Sequence, residues 1–208
     1  MTARDPWDEL AAEARRLFGL VISSSDVARL RAHVELLAQW SARMNLIGAA
    51  STRELVERHV LDSLAIAPLV QTASAVADFG SGAGFPAVPI AIVCPAARFD
   101  LVESRRKRCS FLRHVARTLR LPNVTISESR GEDWNPVGAP DVVTSRALAA
   151  HTLAPIASRV LGAGGRLLLM RKESGRDAVA LERFVNTATR RYRLPGGERH
   201  EIAVYRRL

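Results

Sequence analysis

The chain has 208 residues, with 30 Lys and Arg against 21 Asp and Glu, a net charge of +9 and 48% apolar residues. A chain of this length buries a core for one domain plus an appendage, and its charge favours an anionic partner, nucleic acid ahead of a membrane surface. No run of about 18 apolar residues is present to cross a membrane. Asp5, Asp8, Glu9 and Glu13 stand where a signal peptide would be basic and then apolar, so a cytoplasmic protein is expected. Cys94 and Cys109 have no His or Cys at ligand spacing, which points to neither a metal site nor a disulfide.

Residues 7–18 read as a short amphipathic helix, and Ser24 or Ser25 caps a longer one reaching about Met44, with Val27, Leu30, Val34, Leu37 and Met44 forming its core stripe. Ser51-Thr-Arg-Glu54 is a capping box for a third helix, closed by Pro68. On that helix His59 lies one turn from Asp62 and Ser63; the group is either a local polar contact or a catalytic pair. Residues 1–70 are thus expected to form a helical extension, and 71–208 a separate α/β domain.

From residue 74 strands and helices alternate. Strands are expected near 75–79, 98–103, 123–127, 140–145, 165–170, 189–194 and 200–206, with helices at 86–93, 104–120, 151–161 and 174–186. Such alternation specifies a mostly parallel sheet covered on both faces. Pro195-Gly-Gly197 turns the chain between the last two strands.

The first strand runs into Asp78-Phe-Gly-Ser-Gly-Ala-Gly-Phe-Pro86. Gly80, Gly82 and Gly84 let a ligand approach the backbone, where amides at a helix start can face it. The dinucleotide fingerprint fails here. Its third glycine falls on Phe85 in one frame and Ala87 in the other, and an aromatic at the turn suits a flat adenine or a thioether better than a pyrophosphate. Glu103 ends the second strand, placed to accept both hydroxyls of a ribose. The carboxyl ends of the strands also gather Gly131-Glu132 and Ser145-Arg146; Glu132 or Asp133 can accept the exocyclic amine of an adenine and Gly131 can offer its backbone. On the wheel of helix 104–120, Arg106, Arg113, Arg117 and Arg120 oppose Phe111, Leu112, Val115 and Leu119, a face that is either merely solvated or tracks phosphates.

The glycine turn, together with Leu101-Val-Glu103-Ser-Arg-Arg-Lys-Arg-Cys-Ser-Phe-Leu112 and Thr144-Ser-Arg-Ala147, resembles the RsmG (GidB) family from about Trp40 to Met170. The resemblance implies a Rossmann-like class I methyltransferase fold, a mostly parallel seven-stranded sheet with an antiparallel last hairpin. It also implies S-adenosyl-L-methionine as cofactor and ring nitrogen 7 of one guanosine in bacterial 16S ribosomal RNA as target, met as naked RNA or in the small ribosomal subunit. Carried over residue by residue, cofactor contacts fall on Gly80, Phe85, Gly131, Glu132 and Arg146, with Glu103, Ser104 and Arg105 along the ribose and Asp78, Gly82 and Gly84 in the same turn. His59 and Asp62 are then expected at the mouth of the site. Trp40 and Asn45 match the family, whereas Ser41, Ala87 and Met170-Arg171-Lys172 depart from its usual Asn, Gly and Leu-Lys-Gly.

The acceptor is argued partly by absence. After the fourth strand there is no Asn/Asp-Pro-Pro-aromatic motif for exocyclic amines, and neither cysteine is placed to attack a pyrimidine. Nitrogen 7 carries a free lone pair and needs alignment rather than a general base. No catalytic residue is therefore assigned; Arg146 and His59 are the candidates, Arg146 as a clamp on the cofactor carboxylate or an RNA phosphate. RNA contacts are expected at Arg106, Arg113, Arg117, Arg120, Arg171 and Lys172, with no metal and a monomeric protein. The alternatives are a nucleotide-dependent oxidoreductase and a non-enzymatic RNA-binding or assembly protein.

Overall fold

Five parallel strands, β1 (Ala75–Phe79), β2 (Arg98–Glu103), β3 (Val124–Glu128), β4 (Val142–Ser145) and β5 (Arg166–Lys172), are extended by the antiparallel pair β6 (Phe184–Arg193) and β7 (Arg199–Arg207) into one sheet ordered β3-β2-β1-β4-β5-β7-β6. This is the sheet the sequence leads one to expect. The coordinates are a computed structural model that describes residues 5–44, 46–48, 50–173 and 179–208; Asn45 and the 174–178 part of the expected helix 174–186 lie outside the described residues. The rest of that helix is a correction, because Phe184–Arg193 is an edge strand. Val185, Thr187 and Thr189 are β-branched, and the ladder to β7 supplies the hydrogen bonds a helix would have made.

Period-two alternation sorts the strand residues. Val76, Leu101, Val142, Leu168 and Ile202 face one core, and Ala77, Phe79, Val102, Val143 and Ala203 face the other. The first core also holds Trp7 and Leu10 of α1 (Pro6–Phe18), Leu30 and Leu37 of α2 (Ser24–Met44), and residues of α6 (Ala87–Val93) and α7 (Arg106–Thr118). The second is closed by α8 (Ala150–Val160), with Trp134 against Phe79.

The third expected helix is segmented. Its capping box forms at Ser51 and Glu54, but α3 (Thr52–Leu55) passes into a π-helix, Val56–Leu61, before α4 (Asp62–Leu64) and α5 (Ala67–Val70). A π-helix shifts hydrogen bonds by one residue and frees carbonyls for other donors. Helix α7 is also shorter than expected. It stops at Thr118, and Arg120 sits beyond it with φ of +50°, so Arg120 is not part of the helical stripe.

The α2 helix grips the glycine turn from outside. Gly84 has φ of +90°, and a Cβ there would lie 2.7 Å from Val88 Cγ2, so only glycine fits. Fully buried His33 donates from Nε2 to the Ala83 carbonyl at 3.0 Å. Burial holds its pKa down to about 4. The unfolded chain therefore binds this proton first, and the stability His33 contributes is present above about pH 6.5 and lost as pH falls toward 4. The stability difference between wild type and His33→Gln, read by urea unfolding, should accordingly shrink by about 2 kcal/mol from pH 7 to pH 5. A difference independent of pH would mean that His33 does not stay neutral in the folded protein.

Candidate active site

The strand order reverses between β1 and β4, and the loops leaving their carboxyl ends open a crevice there. The glycine turn follows β1 and Ser145-Arg146 closes β4, so both motifs meet at this point for topological reasons.

Two clefts share Gly80 as a wall. The first, about 170 Å³, is lined by Phe79, Gly80, Glu103, Ser104, Gly131, Glu132, Leu148 and Ile156. Its walls are apolar where Phe79, Leu148 and Ile156 stand and polar at Glu103. A Cβ on Gly131 would come within 2.9 Å of Ile156 Cδ1 and 3.0 Å of Phe79 Cδ1. The Gly131 carbonyl already accepts from Arg159 at 2.8 Å, so what this residue can offer a ligand is its N–H. Glu132 lines the cleft; Asp133 is not among its lining residues.

Glu103 is buried, and its two oxygens accept the amides of Gly82 at 3.0 Å and Arg105 at 2.8 Å. Each carboxylate oxygen has a second lone pair, so a vicinal diol can still be received. Arg108, in the first turn of α7, lies 3.8 Å from the same carboxylate. Arg105 thus supports the site through its backbone, and its side chain lines an adjoining hollow with Arg106 and Lys107.

The second cleft, about 240 Å³, is lined by Ile47, His59, Gly80, Gly82, Phe85, Arg108, Arg146 and Ala147. Phe85 lines this second cleft and not the first, its ring 4.9 Å from His33 and 5.2 Å from His59, a place that suits a thioether better than an adenine in the first cleft. His59 is pushed down to about 4 by burial and then by the Arg146 charge, so its imidazole is neutral at pH 7. Asp62, expected at the mouth, is instead buried behind it.

Two ionisable groups carry unused hydrogen-bonding capacity. Both Asp78 oxygens and Arg146 Nη1 are buried without a partner. Burial raises the Asp78 carboxyl to about 8. Arg146 lines the second cleft, whereas Asp78, at the end of β1, lines neither; with the diol acceptor and the apolar slot, the Arg146 cation fits a nucleoside carrying a carboxylate tail.

The cations expected to contact nucleic acid are dispersed. Arg113 pairs with Glu128 at 3.0 Å, Arg171 with buried Glu201 at 2.6 Å, and Lys172 with Glu198 at 3.1 Å. Arg117 leans on His114. Arg106 alone of the six stands beside the clefts. Sequence reasoning missed Arg108, Leu148 and Ile156. Arg108 could have been found by carrying the face of Ser104 one turn along the helix; the other two had no signal beyond apolarity.

The family model described as GidB, rRNA small subunit methyltransferase G, matches residues 26–198. The chain is 38% identical over 198 residues to "Ribosomal RNA small subunit methyltransferase G" of Xylella fastidiosa strain M23, covering 91% of this chain and 93% of that protein. It is 41% identical to the protein of the same name from Paramagnetospirillum magneticum, covering 75% and 76%. Among solved structures it is similar in fold to an O-methyltransferase from Bacillus cereus in complex with SAH, with a TM-score of 0.60 at 13% identity, covering 97% of this chain and all of that one.

Asp78 makes a prediction opposite in sign to that for His33. Its folded pKa, about 8, exceeds the unfolded value, so the ligand-free protein loses stability as pH rises between about 4 and 8. Asp78→Asn should remove that loss, gaining about 4 kcal/mol on wild type between pH 5 and pH 8 at roughly 1.4 kcal/mol per unit. Chemical denaturation at the two pH values checks it, and equal slopes for both proteins would show the carboxyl to be ionised throughout.

Proposed function

This chain belongs to the GidB family, rRNA small subunit methyltransferase G, and we propose that it transfers a methyl group from S-adenosyl-L-methionine to ring nitrogen 7 of a guanosine in bacterial 16S ribosomal RNA. The observation that carries this reading is the pair of clefts joined at Gly80. One has the chemistry for an adenosine and the other opens beside it without an acid–base pair.

Phe79, Leu148 and Ile156 would hold the adenine, Glu132 its amine, Glu103 the ribose diol, and Asp78 with Arg146 the two ends of the amino-acid tail. Seating the ammonium draws Asp78 into its ionised form, so binding releases a proton below about pH 8. When bound, the cofactor supplies a methyl on a positively charged sulfur. The chain's task is then alignment, because nitrogen 7 attacks with a lone pair and loses no proton. The methylated ring is cationic, and neutral His59 with the π-face of Phe85 receives such a product better than a charged imidazole would.

RNA is better served by the start of α7 than by the length of the helix. Arg105, Arg106 and Lys107 are exposed there, and the first turn holds no acid. Cations at the positive end of a helix dipole are each unfavourable by roughly 0.3–1 kcal/mol, an expense that bound phosphates would offset. Residues 1–70 act as a helical extension that closes the second cleft with Ile47 and His59. The protein works as a cytoplasmic monomer on the RNA of the small subunit. Membership of a methyltransferase family leaves the oxidoreductase and the purely RNA-binding readings without support.

The direct test is to supply the protein with S-adenosylmethionine and either 16S RNA or small subunits, then reduce and cleave the RNA at 7-methylguanosine. One cofactor-dependent cut is expected, and a methyl group found on any other atom or base overturns the proposal. Arg106→Gln with Lys107→Gln should lower RNA affinity and make its log–log salt slope shallower by about 1–2, leaving S-adenosylhomocysteine affinity unchanged.

A further inference from the structure

Behind the second cleft lies a buried carboxylate with an unusual set of partners. Asp62 Oδ1 accepts both the Tyr192 hydroxyl at 2.6 Å and His200 Nδ1–H at 2.7 Å. Those donors face each other across β6 and β7. Oδ1 is thereby saturated and Oδ2 is left to Arg146 Nη2, 3.4 Å away.

The π-helix adds to this grip. The Asp62 N–H is directed to the His59 carbonyl, and the Arg58 carbonyl accepts from Arg146 Nη2 at 3.2 Å. His59 Nδ1 stands 3.5 Å from the same nitrogen. One edge of the guanidinium is therefore met by the Arg58 carbonyl, the His59 ring and the Asp62 carboxylate, all within residues 58–62, while Nη1 is buried without a partner and Arg146 lines the cleft. If Arg146 served only to neutralise Asp62, nothing would require Nη1 to be desolvated and unpaired.

We propose that Asp62 is a positioning residue: anchored by Tyr192 and His200, it sets Arg146 so that Nη1 receives the carboxylate of the cofactor's amino-acid tail. The inference rests on the function proposed above. A carboxylate is the group expected there because Arg146 lines the second cleft beside Gly80, Gly82 and His59, where the tail of a cofactor seated on the glycine turn would lie. The last hairpin, remote from the glycine turn in sequence, thus sets affinity for one end of the cofactor.

The test compares two ligands by calorimetry: S-adenosylhomocysteine, which has the amino-acid tail, and 5′-methylthioadenosine, which lacks it. Asp62→Asn keeps the shape and removes the charge. It should weaken S-adenosylhomocysteine about tenfold and leave methylthioadenosine within about twofold. Tyr192→Phe removes one donor from Oδ1 and should show the same selective loss, about threefold; it decides the matter if Asp62→Asn does not fold. Parallel losses for both ligands, which a merely structural role would give, overturn the proposal, as does unchanged S-adenosylhomocysteine affinity in a folded variant. A wild-type protein that bound neither ligand would instead overturn the proposed function.

Discussion

Glu103 ties the site together. Its carboxylate bridges the amide of Gly82, in the turn after β1, and the amide of Arg105, at the start of α7. Those amides belong to two different strand–helix connections, which the carboxylate ties to each other. The turn also hangs on β2 through Gly80 N–H to the Val102 carbonyl at 2.8 Å. Strand pairing sets the height of Glu103, and Glu103 sets the left-handed backbone at Gly82, where φ is +54°. A buried carboxylate accepting two amides is favourable because the amides lose little to water and the charge is spread over two donors. The same residue still has a free lone pair on each oxygen, so scaffold and binding site are one group.

The helical segment before β1 braces this arrangement from the other side. His33 holds Ala83, and the π-helix holds Arg146. The side chains that do so are buried in, or continuous with, the core that also contains Val76, Leu101 and Ile202. A displacement of α2 or of the π-helix is therefore felt at the turn through close-packed contacts. This explains why the chain can place functional groups on elements distant in sequence without a large interface of their own.

What the sequence reveals and what it hides follow the range of the interactions concerned. β1, the glycine turn, β2 and Glu103 are set by local alternation and by residues within about one βαβ unit, and they could be read directly. The strand start at 184–186 could not, since its apolar residues have no period that separates helix from strand and the deciding hydrogen bonds come from β7. The partners of the α7 stripe were hidden for a related reason: its wheel has no acids, yet Glu128 on β3 pairs with Arg113 across the sheet edge. Arg171 aligns with the family lysine, but Glu201, buried on the neighbouring strand, fixes what it does. Phe85 could be read for its chemistry but not for its direction. At the turn its ring had two directions open to it, and the imidazoles of α2 and the π-helix drew it to one.

Two buried aspartates show how environment, and not residue type, divides the labour. Asp78 and Asp62 are almost equally hidden from solvent. Burial raises both, but for Asp62 the His200 hydrogen bond, the Arg146 charge and the Tyr192 hydroxyl outweigh it and hold the carboxyl below its ordinary value. At Asp78 burial outweighs the Ser81 hydroxyl and the Arg146 charge, and the carboxyl stays near 8. A carboxylate already satisfied within the fold can orient a neighbour, whereas one left unsatisfied destabilises the empty site until a cation arrives. Asp62 is consequently suited to holding Arg146, and Asp78 to selecting an ammonium. On the function proposed above, the energy lost by leaving Asp78 unpaired would be returned as affinity when the cofactor's ammonium enters, tying the stability of the ligand-free protein to its hold on the cofactor.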